Sequence, residues 1–381
     1  MKFFKTLFIT VTFLIFFFKP VLAQENTSLP IIKEEKFEAT VVKIINEEKI
    51  TKKGQTRIAQ TLELELLPPS TKKRLTLLTG DLPIANQPKY QVNDTVVLSA
   101  FSSADGKTTY LITDFVRRDS LYLLFLIFAV LVVLVGRKRG FFSLLGMGVS
   151  FFVIGKFLLP QIMVGTDPIL SAVLTSLAII PVTFYLSHGI NLKTSIAVLG
   201  TLVSLIISGF LAGFFINTAK LSGFSSEEAV FLQVQNPSLE NIKGLILAGI
   251  IIGLVGILDD ITISQAAIVE QLKKNSPKLG FWELYKGAME VGKDHIASLV
   301  NTLVLVYTGA ALPLLLLFIN NPQPFADVIN LEIVAEEILR TLVASIGLIL
   351  AVPITSSLAA LVFENKIVDS KSSKTYNTKQ G

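Results

Sequence analysis

Apolar residues in this chain gather into long runs with short polar breaks between them, and the spacing of the breaks constrains the fold first. Runs at 120–135, 141–164, 168–186, 194–216, 244–272, 295–319 and 341–363 are near the ~20 residues a helix needs to cross a hydrocarbon core. Seven spans are expected. Residues 24–118 follow another pattern, with short β-rich runs at 37–45, 57–67, 73–79, 95–101 and 108–116 between Lys/Glu-rich turns. Thr61-Leu62-Glu63-Leu64-Glu65-Leu66 alternates as a half-exposed strand does. Five such strands predict a small all-β, OB-like barrel, with 90–96 as a tight turn into the fourth.

The two ends of the chain read differently again. Lys2 and Lys5 precede an apolar run at 6–18, then Pro20 and Val21-Leu22-Ala23. That is the layout of a signal peptide over 1–23, which starts residue 24 outside the cytoplasm. Residues 364–381, rich in Lys and Ser, predict a disordered tail. The fold class is therefore a polytopic α-helical membrane protein, with a β domain at 24–118 and seven spans over 119–363.

Composition agrees: 381 residues, 51% hydrophobic, mean hydropathy +0.63. With no cysteine, disulfides, cysteine-rich metal sites and thiol nucleophiles are excluded. Net charge is only +5, so its placement matters more than its sum. Arg137, Lys138, Arg139, Lys193, Lys273, Lys274, Lys278, Lys286, Lys293 and the tail lysines fall on one side of a seven-span arrangement. The other side holds Arg117, Arg118, Lys220, Lys243 and Arg340 near the membrane. Basic loops stay in the cytoplasm, which sets the β domain outside and the C-terminus inside.

The chemistry lies in 244–272, where an apolar run carries Asp259, Asp260 and Glu270. A carboxylate near the bilayer centre costs ~2.5–3.5 kcal/mol on insertion scales and marks a functional site by default. On a helix, Gly249, Gly253, Gly256, Asp260 and Ser264 share one stripe, and the glycines predict a helix-packing edge. A second stripe holds Asp259, Thr262, Ala266 and Glu270. Two readings stay open: an ion or proton site, or the interfacial start of a cytoplasmic helix. The sixth span adds Asp294, His295 and Asn301 to the proposed pathway, although interhelical hydrogen bonding accounts for such an Asn equally well. Before it, 281–293 reads as an amphipathic helix with Trp282 and Tyr285 suited to the interface. Glu332, Glu336, Glu337 and Arg340 predict a short charged external helix with a Glu336–Arg340 pair. Pro181, Pro313 and Pro353 fall inside spans.

Other signals carry less. Gly106-Lys107-Thr108 ends like a phosphate-binding loop but has Phe101 in place of the upstream glycine. The β domain mixes Lys and Glu without an aromatic platform, so nucleic acid is not an expected partner. There is no HExxH, no nucleophile–base set and no pair of aspartates on two spans, which argues against an intramembrane hydrolase and for no enzymatic activity. No cofactor is expected, and the residues do not say whether a metal binds.

Three segments, GILDDITISQAAIVEQL at 256–272, KDHIASLVNTLVLVYTGAALPLLLLF at 293–318 and EIVAEEILRTLVASIGLILAVPITSSLAA at 332–360, resemble the YibE/F-like family of bacterial multi-span membrane proteins. The resemblance implies an inner or plasma membrane protein with an extracytoplasmic N-terminal part and carries no biochemical activity over. From the polar positions, the expected function is a secondary transporter or permease-like protein with an intramembrane carboxylate site. The alternative is a scaffold or sensor whose β domain binds a protein outside. The expected partners are the lipid bilayer, a protein outside the cytoplasm and a second copy of the chain.

Overall fold

The computed structural model describes residues 34–52, 55–68, 73–79, 88–102, 108–319 and 324–365. The expected signal peptide, the tail beyond 365 and the Gly106-Lys107 turn lie outside the described residues. The chain divides into two compact units, meeting in sequence at Leu131 and Val132.

The first unit is a five-stranded antiparallel sheet: β1 (Glu34–Lys52), β2 (Gln55–Leu66), β3 (Arg74–Leu78), β4 (Thr95–Ser102) and β5 (Thr108–Phe115), in the order β3-β2-β1-β4-β5. Strand β1 is long enough to serve two partners: Ala39–Lys52 pairs with β2 and Glu34–Thr40 with β4. Register shifts between Val41 and Lys43 and between Ile44 and Asn46 bend it between those duties. The alternation read from the sequence sends Leu62, Leu64 and Leu66 inward to meet Ala39, Val41, Val96 and Leu98. The fully buried Gln60 carboxamide accepts from the Tyr90 N–H at 2.8 Å and donates to the Tyr90 carbonyl at 3.1 Å, fixing the approach to β4. The turn that follows is tight as expected: Asn93 takes φ 76°, and the Gln91 N–H donates to Asp94 Oδ2 at 2.7 Å.

The second unit is helical, and its first helix begins within the first unit. The helices are α1 (Arg118–Val153), a π turn (Ile154–Leu158), α2 (Leu159–Met163), α3 (Pro168–His188), α4 (Leu192–Thr218), α5 (Glu227–Gln235), α6 (Ile242–Asn275), α7 (Phe281–Ala310), α8 (Leu312–Ile319), α9 (Phe325–Val328) and α10 (Glu332–Glu364). Five stretches are long and apolar enough to cross a membrane: 118–163, α3, α4, α6 and α10, with α7 and α8 together a bent sixth.

Three expectations change in detail. The first and second runs are one helical stretch broken at Arg137, whose φ 51° and ψ −131° are not helical. The chain folds back there so tightly that a Cβ on Gly140 would overlap the Val132 carbonyl oxygen. The amphipathic helix and the sixth span are one helix, α7, because no breaker separates Lys293 from His295. It turns by 68° into α8 at Ala311, two residues before Pro313, which lies in the first turn of α8, where a missing N–H breaks no helical bond. The charged external helix is likewise the opening of α10 itself. Helices α3 and α10 continue through Pro181 and Pro353.

The core forms where α6 packs against α3, α4, α7 and α10, and α10 in turn against α4 and α7. Close approach between α4 and α10 comes from small residues every fourth position on each. Gly200, Ser204, Ser208 and Ala212 are buried on α4, and Gly347, Ala351, Thr355 and Ala359 on α10. A Cβ on Gly347 would stand 3.1 Å from Leu254 Cδ2, and one on Gly200 3.1 Å from Thr355 Cβ. The Ser204 and Ser208 hydroxyls donate to the carbonyls of Gly200 and Ser204, both at 2.8 Å, so the stripe carries no unsatisfied serine donor.

Candidate functional site

Within this small-residue packing lies a seam of fully buried polar side chains shared by α4, α6 and α10. Thr201 and Thr262 share a hydrogen bond of 2.8 Å. Thr262 Oγ1 also lies 2.9 Å from the Leu258 carbonyl; with its proton committed there, Thr201 is the donor between them. One turn along α6, Gln265 Oε1 accepts from the Ser356 hydroxyl at 2.9 Å. Helix α7 closes over this point at Gly292, where a Cβ would stand 2.5 Å from Val352 Cγ1 and 3.2 Å from Gln265 Nε2. Only glycine fits there.

Two groups in the seam have no hydrogen-bond partner, Gln265 Nε2 and Thr355 Oγ1. Both belong to residues with no exposed surface. In a dry environment an unsatisfied amide or hydroxyl costs roughly 1–3 kcal/mol by mutational data, so a core built only for stability would have an aliphatic side chain there.

The residues singled out from sequence distribute around this seam unevenly. Asp259 is half-buried, and its Oδ1 is enclosed without a partner. Asp260 is exposed and within electrostatic reach of His188, together with Arg139 and Lys193. Ser264 is half-buried, and Glu270 pairs with Lys274 at 2.9 Å as an i,i+4 surface bridge. His295 is half-buried one turn beyond Gly292, its Nδ1 enclosed and unpartnered. Asp294 and Asn301 are exposed, about 160–180° around α7 from Gly292, and so lie away from the seam. Asp259 and Asp260 therefore look in different directions, and Asn301 joins neither.

The glycine edge needs correction. Gly249, Gly253 and Gly256 are exposed; a Cβ on the first and last would meet nothing within 4 Å, and one on Gly253 only the Tyr307 hydroxyl at 3.9 Å. Within the chain, close packing is done by Gly200, Gly292 and Gly347 instead. Gln265 and Thr201 went unnoticed in the sequence. A Gln inside an apolar run between Asp260 and Glu270 was the available signal for the first. Among the described residues no group of three or more His, Asp and Glu could hold a metal ion.

At the end of the bundle where α4 stops and α10 starts, a second polar arrangement fixes the loop after α4. The Glu332 carboxylate accepts from the backbone N–H groups of Ser222 at 2.5 Å and Gly223 at 2.8 Å and from the Ser222 hydroxyl. Ser225 donates to Glu336. Arg340 holds Glu336 at 2.6 Å and Glu337 at 2.8 Å, which includes the i,i+4 pair expected from the sequence.

The helical unit coincides with a family boundary. Residues 124–365 match the family described as YibE/F-like protein. The chain belongs to that family. The match takes in every helix from α2 to α10 and most of α1, and it leaves the β sheet outside. No curated protein matches the chain, and no solved structure does. The seam thus lies wholly within the part that defines this YibE/F-like protein, on residues from three of its helices with a fourth closing over it.

Proposed function

We propose that this YibE/F-like protein is a multi-pass plasma-membrane protein of the secondary-transporter type, with no catalytic step, in which a small ion or proton moves along the seam. The supporting observation is the pair of fully buried, unpartnered polar groups on Gln265 and Thr355, with the enclosed Asp259 Oδ1 on the same helix as Gln265. Polar groups inside an apolar span persist where they serve a pathway. Asp259 is the carboxylate of this site; Asp260 belongs to the charged end of the bundle beside His188. Taking 118–163 as two crossings divided at the break at Arg137, the proposed arrangement has seven with α3, α4, α6, the bent α7–α8 pair and α10; the non-helical torsions of Arg137 support that division. The β sheet, with the five strands of an OB-like barrel, lies outside after a cleaved signal peptide, and the C-terminus is cytoplasmic.

Flux in proteoliposomes tests the reading. Protein carrying Asp259→Asn should lose most proton or monovalent-cation flux, while Asp260→Asn should retain it. If wild-type protein conducts neither, or Asp259→Asn conducts as wild type does, the transport reading falls. A second reading, a scaffold or sensor, draws on Asp294 and Asn301 on the outward face of α7, where polar groups invite a partner. Capture of one specific protein by the full chain, lost with Asn301→Leu, together with absent flux, would favour it.

A further inference from the structure

We propose that α5 (Glu227–Gln235), in the connection between α4 and α6, is an interfacial helix that buries Phe231 and Val234 in the lipid surface. None of its nine residues is buried. Exposure is nevertheless sided. Val230, Phe231 and Val234 are 46%, 62% and 75% exposed, on one helical face whose N-terminal end is the exposed Glu227. Ala229, Leu232 and Gln233, on the other face, are half-buried, and Ala229 packs against the helical core.

That apolar face is held in place. Before α5, Leu221 is in the core, Ser222 and Gly223 hold Glu332, and Ser225 donates to Glu336. The Ser226 hydroxyl caps the helix by accepting from the Ala229 N–H. After it, Asn236 donates to the Met163 carbonyl at 2.6 Å, Leu239 returns to the core, and Asn241 donates to Asp167 at 2.7 Å. Fixing a Phe and two Val side chains outward would be wasteful in water. Here the flanking residues, Thr218 and Ile242, are the same-side ends of two helices long and apolar enough to cross a membrane, so α5 lies at the level where such helices leave it.

The occupant that fits is the headgroup–acyl boundary of the bilayer, entered by about 5–10 Å. Helix α5 carries Glu227 and Glu228 and no Lys or Arg, so apolar insertion rather than attraction to anionic lipid drives the contact. This inference rests on the membrane reading of the helices.

The chain has a single tryptophan, which makes a fluorescence test clean. In full-length protein with Trp282→Phe, reconstituted in phosphatidylcholine vesicles, tryptophan would be placed by Phe231→Trp, by Val234→Trp and, as a reference, by Phe210→Trp. Phe210 is 79% exposed on α4. The α5 variants should show a blue shift and lose emission to lipid brominated near the headgroup end of the acyl chain, unchanged when anionic lipid is added. Quenching by aqueous iodide alone would overturn the proposal. Protection from both quenchers would overturn it too, since protein would then cover the face. If Phe210→Trp itself is not quenched by brominated lipid, the membrane reading fails rather than the assignment of α5.

Discussion

Two glycine-to-alanine substitutions in apolar helices of one bundle should have opposite signs. An alanine at 200 puts its Cβ into the Thr355 side chain, overlapping Oγ1 and standing 3.1 Å from Cβ and 3.3 Å from Cγ2, where ordinary contact begins at 3.4 Å. All three neighbours are on one fully buried, β-branched residue, so no rotation of Thr355 clears the space. Helices α4 and α10 must separate along stripes that otherwise touch. Overpacking of this kind costs about 1–3 kcal/mol, and alanine returns up to about 1 kcal/mol of helix propensity. With the propensity fully returned, the net for Gly200→Ala is a loss of up to about 2 kcal/mol. At Gly249 a Cβ meets nothing within 4 Å, so only the propensity remains and Gly249→Ala should gain up to about 1 kcal/mol. Unfolding in mixed micelles, followed by helical circular dichroism, measures both. Thr355→Ala should restore part of the loss in Gly200→Ala, because it removes Oγ1 and Cγ2 and leaves the 3.1 Å contact, and a double-mutant cycle should show coupling. Gly200→Ala at least as stable as wild type, or Gly249→Ala as damaging as Gly200→Ala, would refute the close packing of α4 on α10 and the open face of α6.

The seam and the sheet give two further expectations. Ser356→Ala strips Gln265 Oε1 of its donor and should cost about 1–3 kcal/mol, whereas the double variant Gln265→Leu/Ser356→Ala removes donor, acceptor and the orphaned Nε2 together and should be close to neutral for stability; the same micelle unfolding compares them. In the sheet, the Phe115 N–H and then Arg117 hold the Asp114 carboxyl below the usual carboxylate range. A depressed folded value means its contribution is present above the unfolded value of about 3.9 and is lost as pH falls through the folded one. Carboxyl NMR of aspartate-labelled protein should give Asp114 a midpoint below about 3.9, raised only in part by Arg117→Ala because the Phe115 N–H remains; a wild-type midpoint at or above that value contradicts the geometry.

Much of the architecture was legible because it rests on period and length. The five strand positions agree with the sheet to within a few residues, except that β1 runs on to Lys52. The apolar runs fall on the helices. The buried polar face of α6 was not legible, for a physical reason. Its apolar half is surrounded on several sides, so hydrophobic pattern no longer separates inside from outside, and a glycine stripe is equally compatible with a packed face and an open one. Tertiary contacts turned Gly249, Gly253 and Gly256 outward and Gln265 inward. The fourfold spacing of Gly200-Ser204-Ser208-Ala212 and Gly347-Ala351-Thr355-Ala359 was in plain sight and identifies the true close contact. Helix continuity through 281–310 was missed because a change from charged to apolar composition resembles a boundary, while the backbone runs across it unbroken.

On the arrangement proposed above, the break at Arg137 governs the parity of the chain. An odd number of crossings leaves the two ends of a polypeptide in different compartments, and an even number returns them to one. Held straight, Arg118–Met163 would be about 69 Å long at 1.5 Å per residue, more than twice a hydrocarbon core of about 30 Å, and would count once. Broken at Arg137, whose φ is positive, it counts twice in the proposed arrangement. On the seven-crossing arrangement proposed above, the compartment of every loop after residue 163 is thus set by one pair of backbone torsions, and letting that residue relax into a helix would invert them all without touching another span.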